Sequence, residues 1–155
     1  MSLEQKVVTK LIRKGKTVAI AESCTGGLVS NRITDIPGAS ECLKYSVIAY
    51  SNASKTKFLG VKESVLKRYG AVSKSVSIAM AKGVRRRLSC DIGIGITGIA
   101  GPTGGSKHKP VGLTYISINT KNETVCLKFH FVGPRKKIKK DASTAALTLL
   151  LKSIP

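Results

Sequence analysis

A segment of alternating glycine and isoleucine constrains the fold of this chain more than any other feature. In residues 91–98, "DIGIGITG", the isoleucines point to one side of an extended segment, while Gly93 and Gly95 leave the other side bare. Another element must therefore pack very close to the glycine face. The spacing also matches G-x-G-x-x-G, but a dinucleotide-binding turn needs its glycines where a helix begins. Here "GIAGPTGG" follows, so we reject that interpretation.

Hydrophobic periodicity predicts alternating helices and strands along the chain. Apolar runs predict five strands, the last two forming a hairpin around "TKN", at 17–21, 45–51, 91–98, 111–119 and 123–131. Helical spacing predicts six helices or helical turns, at 3–14, 24–35, 53–59, 62–69, 73–88 and 134–152. Ser73 is the expected N-cap of the fifth. With only 5% aromatic residues, the core must be aliphatic. We predict one α/β domain over residues 1–155, a three-layer α/β/α sandwich with a mixed central sheet.

The chain is strongly basic, with 27 Lys and Arg against 8 Asp and Glu and a net charge of +19. Such a charge attracts anionic partners, and both nucleic acid and a phosphorylated small molecule fit. The lysines are scattered rather than confined to one block. A second interpretation therefore stays open, in which the lysines are ordinary solvated side chains on exposed helix faces and bind no partner.

The cysteines and histidines do not form a metal-binding pattern. The four cysteines lack a C-x-x-C pair and the chain has two histidines, so we expect no metal site and reduced thiols in a cytoplasmic protein. No segment has the length of a membrane span, and the first ten residues lack the apolar centre of a signal peptide. We therefore expect no contact with a membrane.

Three polar stretches are candidates for a site: "AESCTGG" at 21–27, the segment 37–55 and the glycine-rich loop that starts at 97. Glycine-rich loops expose backbone N–H groups, which bind anions. In 37–55, Ser40 and Lys55 are a possible nucleophile and base, provided that burial or nearby cations lower the lysine pKa. Taken alone, the two residues are weak evidence, since in most proteins Ser40 would be a helix cap and Lys55 a solvated side chain. For Glu22 we expect a structural carboxylate that accepts backbone hydrogen bonds or pairs with a lysine.

Taken together, these stretches resemble a known family. "AESCTGG", "PGAS…YSN…K", "GAVS" and "TGIAGPTGG…KPVG" occur in the order found in the C-terminal domain of the competence/damage-inducible CinA family. The resemblance extends from about residue 5 to 150. Standalone members are nicotinamide-nucleotide amidases. The resemblance therefore implies hydrolysis of nicotinamide mononucleotide to nicotinate mononucleotide and ammonia, without metal or cofactor.

The resemblance also implies roles for particular residues. It places the nucleophile on Ser40, the base on Lys55 and a further catalytic residue on Tyr50. Substrate-binding positions fall on Ser23, Thr25, Gly26, Thr97, Gly98 and Arg135. Backbone N–H groups near Ser40 or in the glycine-rich loop are the expected oxyanion donors. Arg135 or a helix N-terminus suits the phosphate.

The chain departs from the family pattern inside the catalytic segment, at Cys42, Leu43, Tyr45, Ser46 and Ala53. These differences bear on rate and substrate fit more than on the fold. The alternative function is a non-catalytic module that binds nucleotides or nucleic acid, which the charge favours. As partners we expect a small nucleotide and other copies of the chain in a homo-oligomer.

Overall fold

A single five-stranded sheet organises the chain, and the structure, a computed structural model, describes all of residues 1–155. Its strands are β1 (Val18–Glu22), β2 (Leu43–Ile48), β3 (Ile92–Gly98), β4 (Leu113–Asn119) and β5 (Thr124–His130). Their order across the sheet is β2-β1-β3-β4-β5. The β2-β1-β3 half is parallel, whereas β4 runs antiparallel to both β3 and β5. The mixed sheet and the terminal hairpin are thus as predicted.

Six α-helices connect and cover the strands. They are α1 (Leu3–Arg13), α2 (Leu28–Thr34), α3 (Asn52–Leu59), α4 (Glu63–Tyr69), α5 (Lys74–Arg87) and α6 (Arg135–Ser153). A short 3-10 helix, Ala39–Glu41, precedes β2. Helix α5 begins at the predicted cap, where Ser73 Oγ accepts from the N–H of Val76 at 3.3 Å. None of the six helices combines the length and apolar character that a membrane-spanning segment needs.

Hydrophobic residues fill both sides of the sheet, as a three-layer sandwich requires. One cluster of 20 buried residues joins the isoleucine face of β3 to α1, α2 and α6. A second cluster of 10 buried residues lies between the sheet and α3, α4 and α5. The predicted α/β/α architecture is therefore confirmed.

The element that packs against the glycine face of β3 is α5. A Cβ on Gly95 would lie 2.3 Å from the carbonyl oxygen of Ser77, and one on Gly93 would lie 2.2 Å from that of Ala81. Both distances are far below van der Waals contact, so any side chain would push the helix away from the strand. The glycines let the backbones of α5 and β3 touch, and the predicted close approach is confirmed.

The two predicted boundaries that differ most from the structure both lie next to the candidate site. Helix α2 begins at Leu28 rather than at residue 24, because Gly26 and Gly27 adopt positive φ angles of 62° and 99° and hold 23–27 in a turn. Strand β2 ends at Ile48 rather than at 51, because Ser51 caps α3 with a reciprocal bond to Ser54. Both differences lengthen the loops at the carboxyl edge of the parallel strands.

Candidate functional site

The turn after β1 is built around a buried carboxylate. Glu22 is 0% exposed, and its Oε2 accepts from the N–H groups of Gly27 and Val29 at 3.0 and 3.1 Å. Its Oε1 accepts from the N–H and the hydroxyl of Ser30 at 2.8 and 2.7 Å. Glu22 thus satisfies the free N–H groups at the start of α2, as expected of a structural carboxylate. It fixes the path of residues 23–27.

Lys55 is the most unusual side chain of the structure, a lysine that is only 2% exposed. It projects from α3 under the turn, where Nζ donates to the carbonyl oxygen of Ala49 at 2.9 Å and to Ser23 Oγ at 3.1 Å. No carboxylate pairs with it. Burial disfavours the charged ammonium and lowers the pKa of Lys55 below its ordinary value. A serine hydroxyl thus lies beside a lysine that loses its proton more easily than usual.

Ser40 does not take part in this arrangement, which corrects the predicted pairing with Lys55. Ser40 lies exposed in the 3-10 helix before β2, and Lys44 Nζ donates to its carbonyl oxygen at 2.7 Å. Lys55 follows the opposite end of the same strand. The strand has six residues and spans about 20 Å. Ser40 therefore lies at the amino end of the parallel strands, and Lys55 lies at their carboxyl end. The serine that contacts the lysine is Ser23, which the resemblance implied only as a substrate-binding residue.

A cavity of about 170 Å³ opens beside Ser23 and Lys55. Six of the predicted site residues line it: Ser23, Tyr50, Lys55, Thr97, Gly98 and Arg135. The remaining lining residues are Cys24, Asn52, Ala71, Val72 and Ala100. The lining comes from the end of β3, from the segments that follow β1, β2 and β3, from the loop before α5, and from the first turns of α3 and α6. This is the crevice at the carboxyl edge of parallel strands where α/β proteins bind ligands.

Arg135 joins two walls of this cavity. Its guanidinium donates to the carbonyl oxygen of Gly101 at 2.6 Å and to the hydroxyl of Tyr50 at 3.0 Å. The glycine-rich loop and the segment after β2 are thereby tied to the first residue of α6. Tyr50 itself is 60% exposed, and its hydroxyl accepts from Arg135 rather than from Ser23 or Lys55. Arg135 and Tyr50 therefore shape the mouth of the cavity.

Thr97 and Thr25 have different environments. Thr97 is buried in the cavity wall, and its hydroxyl donates to the carbonyl oxygen of Ala71 at 2.8 Å. Thr25 is 1% exposed, and its Oγ1 has no hydrogen-bond partner in the protein. A buried hydroxyl without a partner is uncommon and is often satisfied by a bound group. Thr25 and Gly26 belong to the turn that carries Ser23, rather than to the cavity lining.

Backbone donors are available next to Ser23. The N–H groups of Cys24 and Thr25 donate to no protein acceptor, although the neighbouring residues of the turn are bonded. Two free N–H groups directly after a hydroxyl are suited to stabilise an oxyanion that forms on an attacked carbonyl. The Cys24 thiol is a poor rival nucleophile, because burial raises its pKa to about 11. Ser23 therefore lies beside a candidate base and candidate oxyanion donors.

Two kinds of site feature were not predicted from the sequence: several residues that line the cavity, and the free backbone N–H groups of the turn. Ala71 and Val72 belong to "GAVS", and Asn52 belongs to "YSN", so the motifs contained them although no role was assigned. The free N–H groups of the turn have no residue-specific signal. No group of three or more His, Cys, Asp and Glu side chains is close enough to hold a metal ion, and all four cysteines are unpaired.

The protein is thus an α/β protein with a mixed sheet and a buried Ser–Lys pair at the carboxyl ends of its parallel strands. Comparison with known proteins gives its family. The family model described as "CinA C-terminal domain" matches residues 1–154. The chain belongs to this family. A CinA-like protein of Endomicrobium trichonymphae is 51% identical over 144 residues, 93% of this chain and 34% of its own length. A CinA-like protein of Kosmotoga olearia is 44% identical over 153 residues, 99% of this chain and 37% of its own length.

Solved structures share the fold over nearly the whole chain. The competence/damage inducible protein CihA from Agrobacterium tumefaciens has a TM-score of 0.95 at 34% identity, covering 97% of this chain and 92% of that one. A CinA superfamily protein from Klebsiella pneumoniae has a TM-score of 0.94 at 27% identity, covering 98% and 95%. The chain spans little more than a third of the length of the curated relatives, up to 37%.

Proposed function

We propose that this chain is an amidohydrolase that deamidates nicotinamide mononucleotide, with Ser23 as the nucleophile and Lys55 as the base. The observation that carries the proposal is the 3.1 Å contact between Ser23 Oγ and a buried, unpaired Lys55 Nζ. A hydroxyl attacks an amide only when its proton is removed, and a lysine with a lowered pKa removes it. The reaction and substrate come from the family resemblance, whereas the assignment of the nucleophile comes from this contact.

The first step forms an acyl-enzyme. Neutral Lys55 accepts the Ser23 hydroxyl proton as Oγ bonds to the carboxamide carbon of the substrate. The oxygen that becomes negative receives hydrogen bonds from the free N–H groups of Cys24 and Thr25. When the tetrahedral intermediate breaks down, Lys55 returns the proton to the leaving nitrogen. Ammonia departs and an ester to Ser23 remains.

The second step uses water as the nucleophile. Lys55 takes a proton from the water as its oxygen attacks the ester carbon, and then protonates Ser23 Oγ as the ester bond breaks. The product is the carboxylic acid, and Ser23 and Lys55 return to their starting protonation states. The hydrogen bond from Lys55 to the Ala49 carbonyl holds Nζ in place throughout both steps.

The surroundings of the cavity suit an anionic substrate. The N-termini of α2, α3, α5 and α6 all lie at the carboxyl edge of β1, β2 and β3, so four helix dipoles present their positive ends there. Arg135 adds a full positive charge to the cavity wall. A nucleotide carries its negative phosphate at a distance from the carboxamide, so this field attracts the phosphate while the amide approaches Ser23.

Ammonia release from nicotinamide mononucleotide tests the proposal directly. The purified chain is expected to release ammonia and nicotinate mononucleotide in equal amounts, and a Ser23→Ala variant is expected to release neither. Rapid acid quenching is expected to trap the acyl-enzyme, and mass spectrometry of its peptides then identifies the serine that carries the acyl group. An active Ser23→Ala variant, or an acyl group on another residue, contradicts the assignment.

Binding of nucleic acid without catalysis is the alternative that one observation favours. Helices α3, α4 and α5 contain a single carboxylate, Glu63, and expose a face of cations: Lys57, Lys67, Arg68, Lys74, Arg86 and Arg87. If this face binds DNA, the affinity falls steeply with salt, by a log–log slope of about −0.9 for each phosphate neutralised. Removal of the exposed cations, with Ser23 intact, would then weaken DNA binding and leave amidase activity unchanged.

A further inference from the structure

Beyond the pair and the cavity, one half-buried cation beside the turn that carries Ser23 has no partner within the chain. We infer that Lys139 is a specificity-determining residue that binds the phosphate of the nucleotide, and this inference rests on the proposed function. Lys139 lies one turn after Arg135 on the same face of α6. Its side chain is half-buried, and it makes neither a salt bridge nor a side-chain hydrogen bond within the chain.

The position of the ammonium links Lys139 to the turn that carries the nucleophile. A Cβ placed on Gly26 would lie 3.5 Å from Lys139 Nζ, so the ammonium lies directly over this glycine. The positive charge also reaches Cys24, where it opposes the much larger effect of burial on the thiol pKa. The N–H of Gly26 donates to the carbonyl oxygen of Ser23 at 3.0 Å, so the ammonium of Lys139 lies beside the tight turn that positions Ser23.

The turn beneath Lys139 has a second unmet polar group. Thr25 Oγ1, in the residue before Gly26, is buried and has no partner. An unpaired ammonium and an unpaired hydroxyl thus belong to neighbouring positions of one small region. A phosphate accepts hydrogen bonds from both kinds of donor, whereas a cationic or apolar ligand leaves both unsatisfied.

The start of α6 is electrostatically unfavourable without an anion. Its first six residues contain five cations, Arg135, Lys136, Lys137, Lys139 and Lys140, and its cap residue Pro134 offers no side-chain hydrogen bond. Cations at a helix N-terminus oppose the helix dipole. Only Lys137 has an acidic partner, Asp141 at 2.5 Å. A bound phosphate would offset the repulsion among the remaining cations.

Lys139 is better placed to bind the phosphate than Arg135 is alone. Two of the guanidinium hydrogen bonds of Arg135 already go to Gly101 and Tyr50, where they hold the cavity walls together. The ammonium of Lys139 keeps all three donors for a ligand. In this division of roles, Arg135 shapes the cavity mouth and contributes charge, and Lys139 supplies the contacts that distinguish a nucleotide from its nucleoside.

The experiment compares Lys139→Gln, which removes the charge, with Lys139→Arg, which keeps it. Lys140→Gln is the matched control, because Lys140 is the next residue of α6 and is exposed. For nicotinamide mononucleotide, Lys139→Gln is expected to raise KM about tenfold, as the loss of one charge-assisted hydrogen bond does. KM for nicotinamide riboside, which lacks the phosphate, is expected to stay unchanged. Lys139→Arg and Lys140→Gln are expected to behave like the unmodified chain.

Equilibrium binding separates this inference from the proposed function. In a Ser23→Ala background, calorimetry is expected to show that nicotinamide mononucleotide binds about tenfold more weakly when Lys139 is Gln. Inorganic phosphate is expected to compete for the same site. Lys139-dependent binding without any ammonia release by the unmodified chain would refute the amidase and retain the phosphate site. Amidase activity with equal losses on nucleotide and riboside, or with no loss, overturns the role of Lys139, and so does the absence of nucleotide binding.

Discussion

Ser23 Oγ lies 3.1 Å from Lys55 Nζ, although the two residues are 32 positions apart in the chain. The contact forms because β1 and β2 are parallel neighbours, so the turn after β1 and the helix after β2 meet at one edge of the sheet. The side chain of Lys55 approaches Ser23 through the protein interior and is only 2% exposed. The position of Ser23 is thus set by the turn, and the protonation of Lys55 is set by its burial.

The first prediction distinguishes the two candidate serines. Ser23→Ala is expected to lower kcat about 1,000-fold or more, because the nucleophile is removed while the oxyanion donors and the cavity remain. Ser40→Ala is the control and is expected to keep nearly the full rate, since Ser40 is exposed before β2. Ammonia release measures both. Loss of activity in Ser40→Ala, with Ser23→Ala active, would reverse the assignment.

The second prediction concerns the proton that Lys55 must accept. Lys55→Arg is expected to lower kcat about 100-fold or more, because a guanidinium stays charged and cannot act as the base. The rate of the unmodified chain is expected to rise with pH through the pKa of Lys55, which burial places below the ordinary value. Single-turnover rates across pH measure this directly. A flat profile with chemistry rate-limiting, or an active Lys55→Arg, would mean that Lys55 acts only through its charge.

The third prediction links the same pKa to stability. Unfolded Lys55 has its usual pKa of about 10.4, and the folded value is lower because of burial. Between the two values the unfolded chain binds more protons, so the folded state gains stability as pH rises. We expect the free energy of unfolding of the unmodified chain to increase with pH relative to Lys55→Met, by up to about 1.4 kcal/mol per pH unit. Urea unfolding of both proteins measures the difference, and parallel pH curves would contradict it.

Much of the fold follows from local pattern in the sequence. The glycines of β3 predicted that another element packs very close to the strand. That element is α5, whose backbone contacts the strand at Gly93 and Gly95. The hairpin of β4 and β5 and the cap at Ser73 were also predicted. These features depend on residues near one another in the chain, and their side-chain chemistry alone specifies them.

The contact between Ser23 and Lys55 depends on the order of the strands in the sheet, and the sequence does not display that order. Ser40 and Lys55 both belong to segment 37–55, which favoured their pairing. Strand β2 lies between them, however, and places them at opposite ends of the parallel strands. Ser23 and Lys55 lie in different stretches, and only the parallel pairing of β1 with β2 joins them. Lys139 had no signal at all, because a lysine in a basic helix is recognised as special only once its lack of a partner is visible.

The fourth prediction tests the contact between α5 and β3. Gly95→Ala is expected to lower the free energy of unfolding by about 3 kcal/mol, because the added Cβ would lie 2.3 Å from the Ser77 carbonyl oxygen. Gly15→Ala is the control, since no atom lies within 4 Å of its Cβ position and only its φ of 60° is strained. That strain costs about 1 kcal/mol. Equal losses in the two variants, measured in urea, would show that the strand and the helix separate easily.

The fifth prediction concerns the carboxylate that shapes the turn. Glu22→Gln keeps the size of the side chain but replaces one acceptor oxygen with an NH₂ group, which faces N–H donors of the turn. We expect the free energy of unfolding to fall by about 3 kcal/mol, because charge-assisted hydrogen bonds are lost and buried donors stay unpaired. Activity is expected to fall as well, even at temperatures where the variant is folded, since Ser23 is carried by this turn.

Glu41→Gln is the control on an exposed side chain, and we expect it to change stability by less than about 0.5 kcal/mol. Urea unfolding and ammonia release give the two readouts. A fully active, fully stable Glu22→Gln would show that the glycines alone hold the turn that positions Ser23.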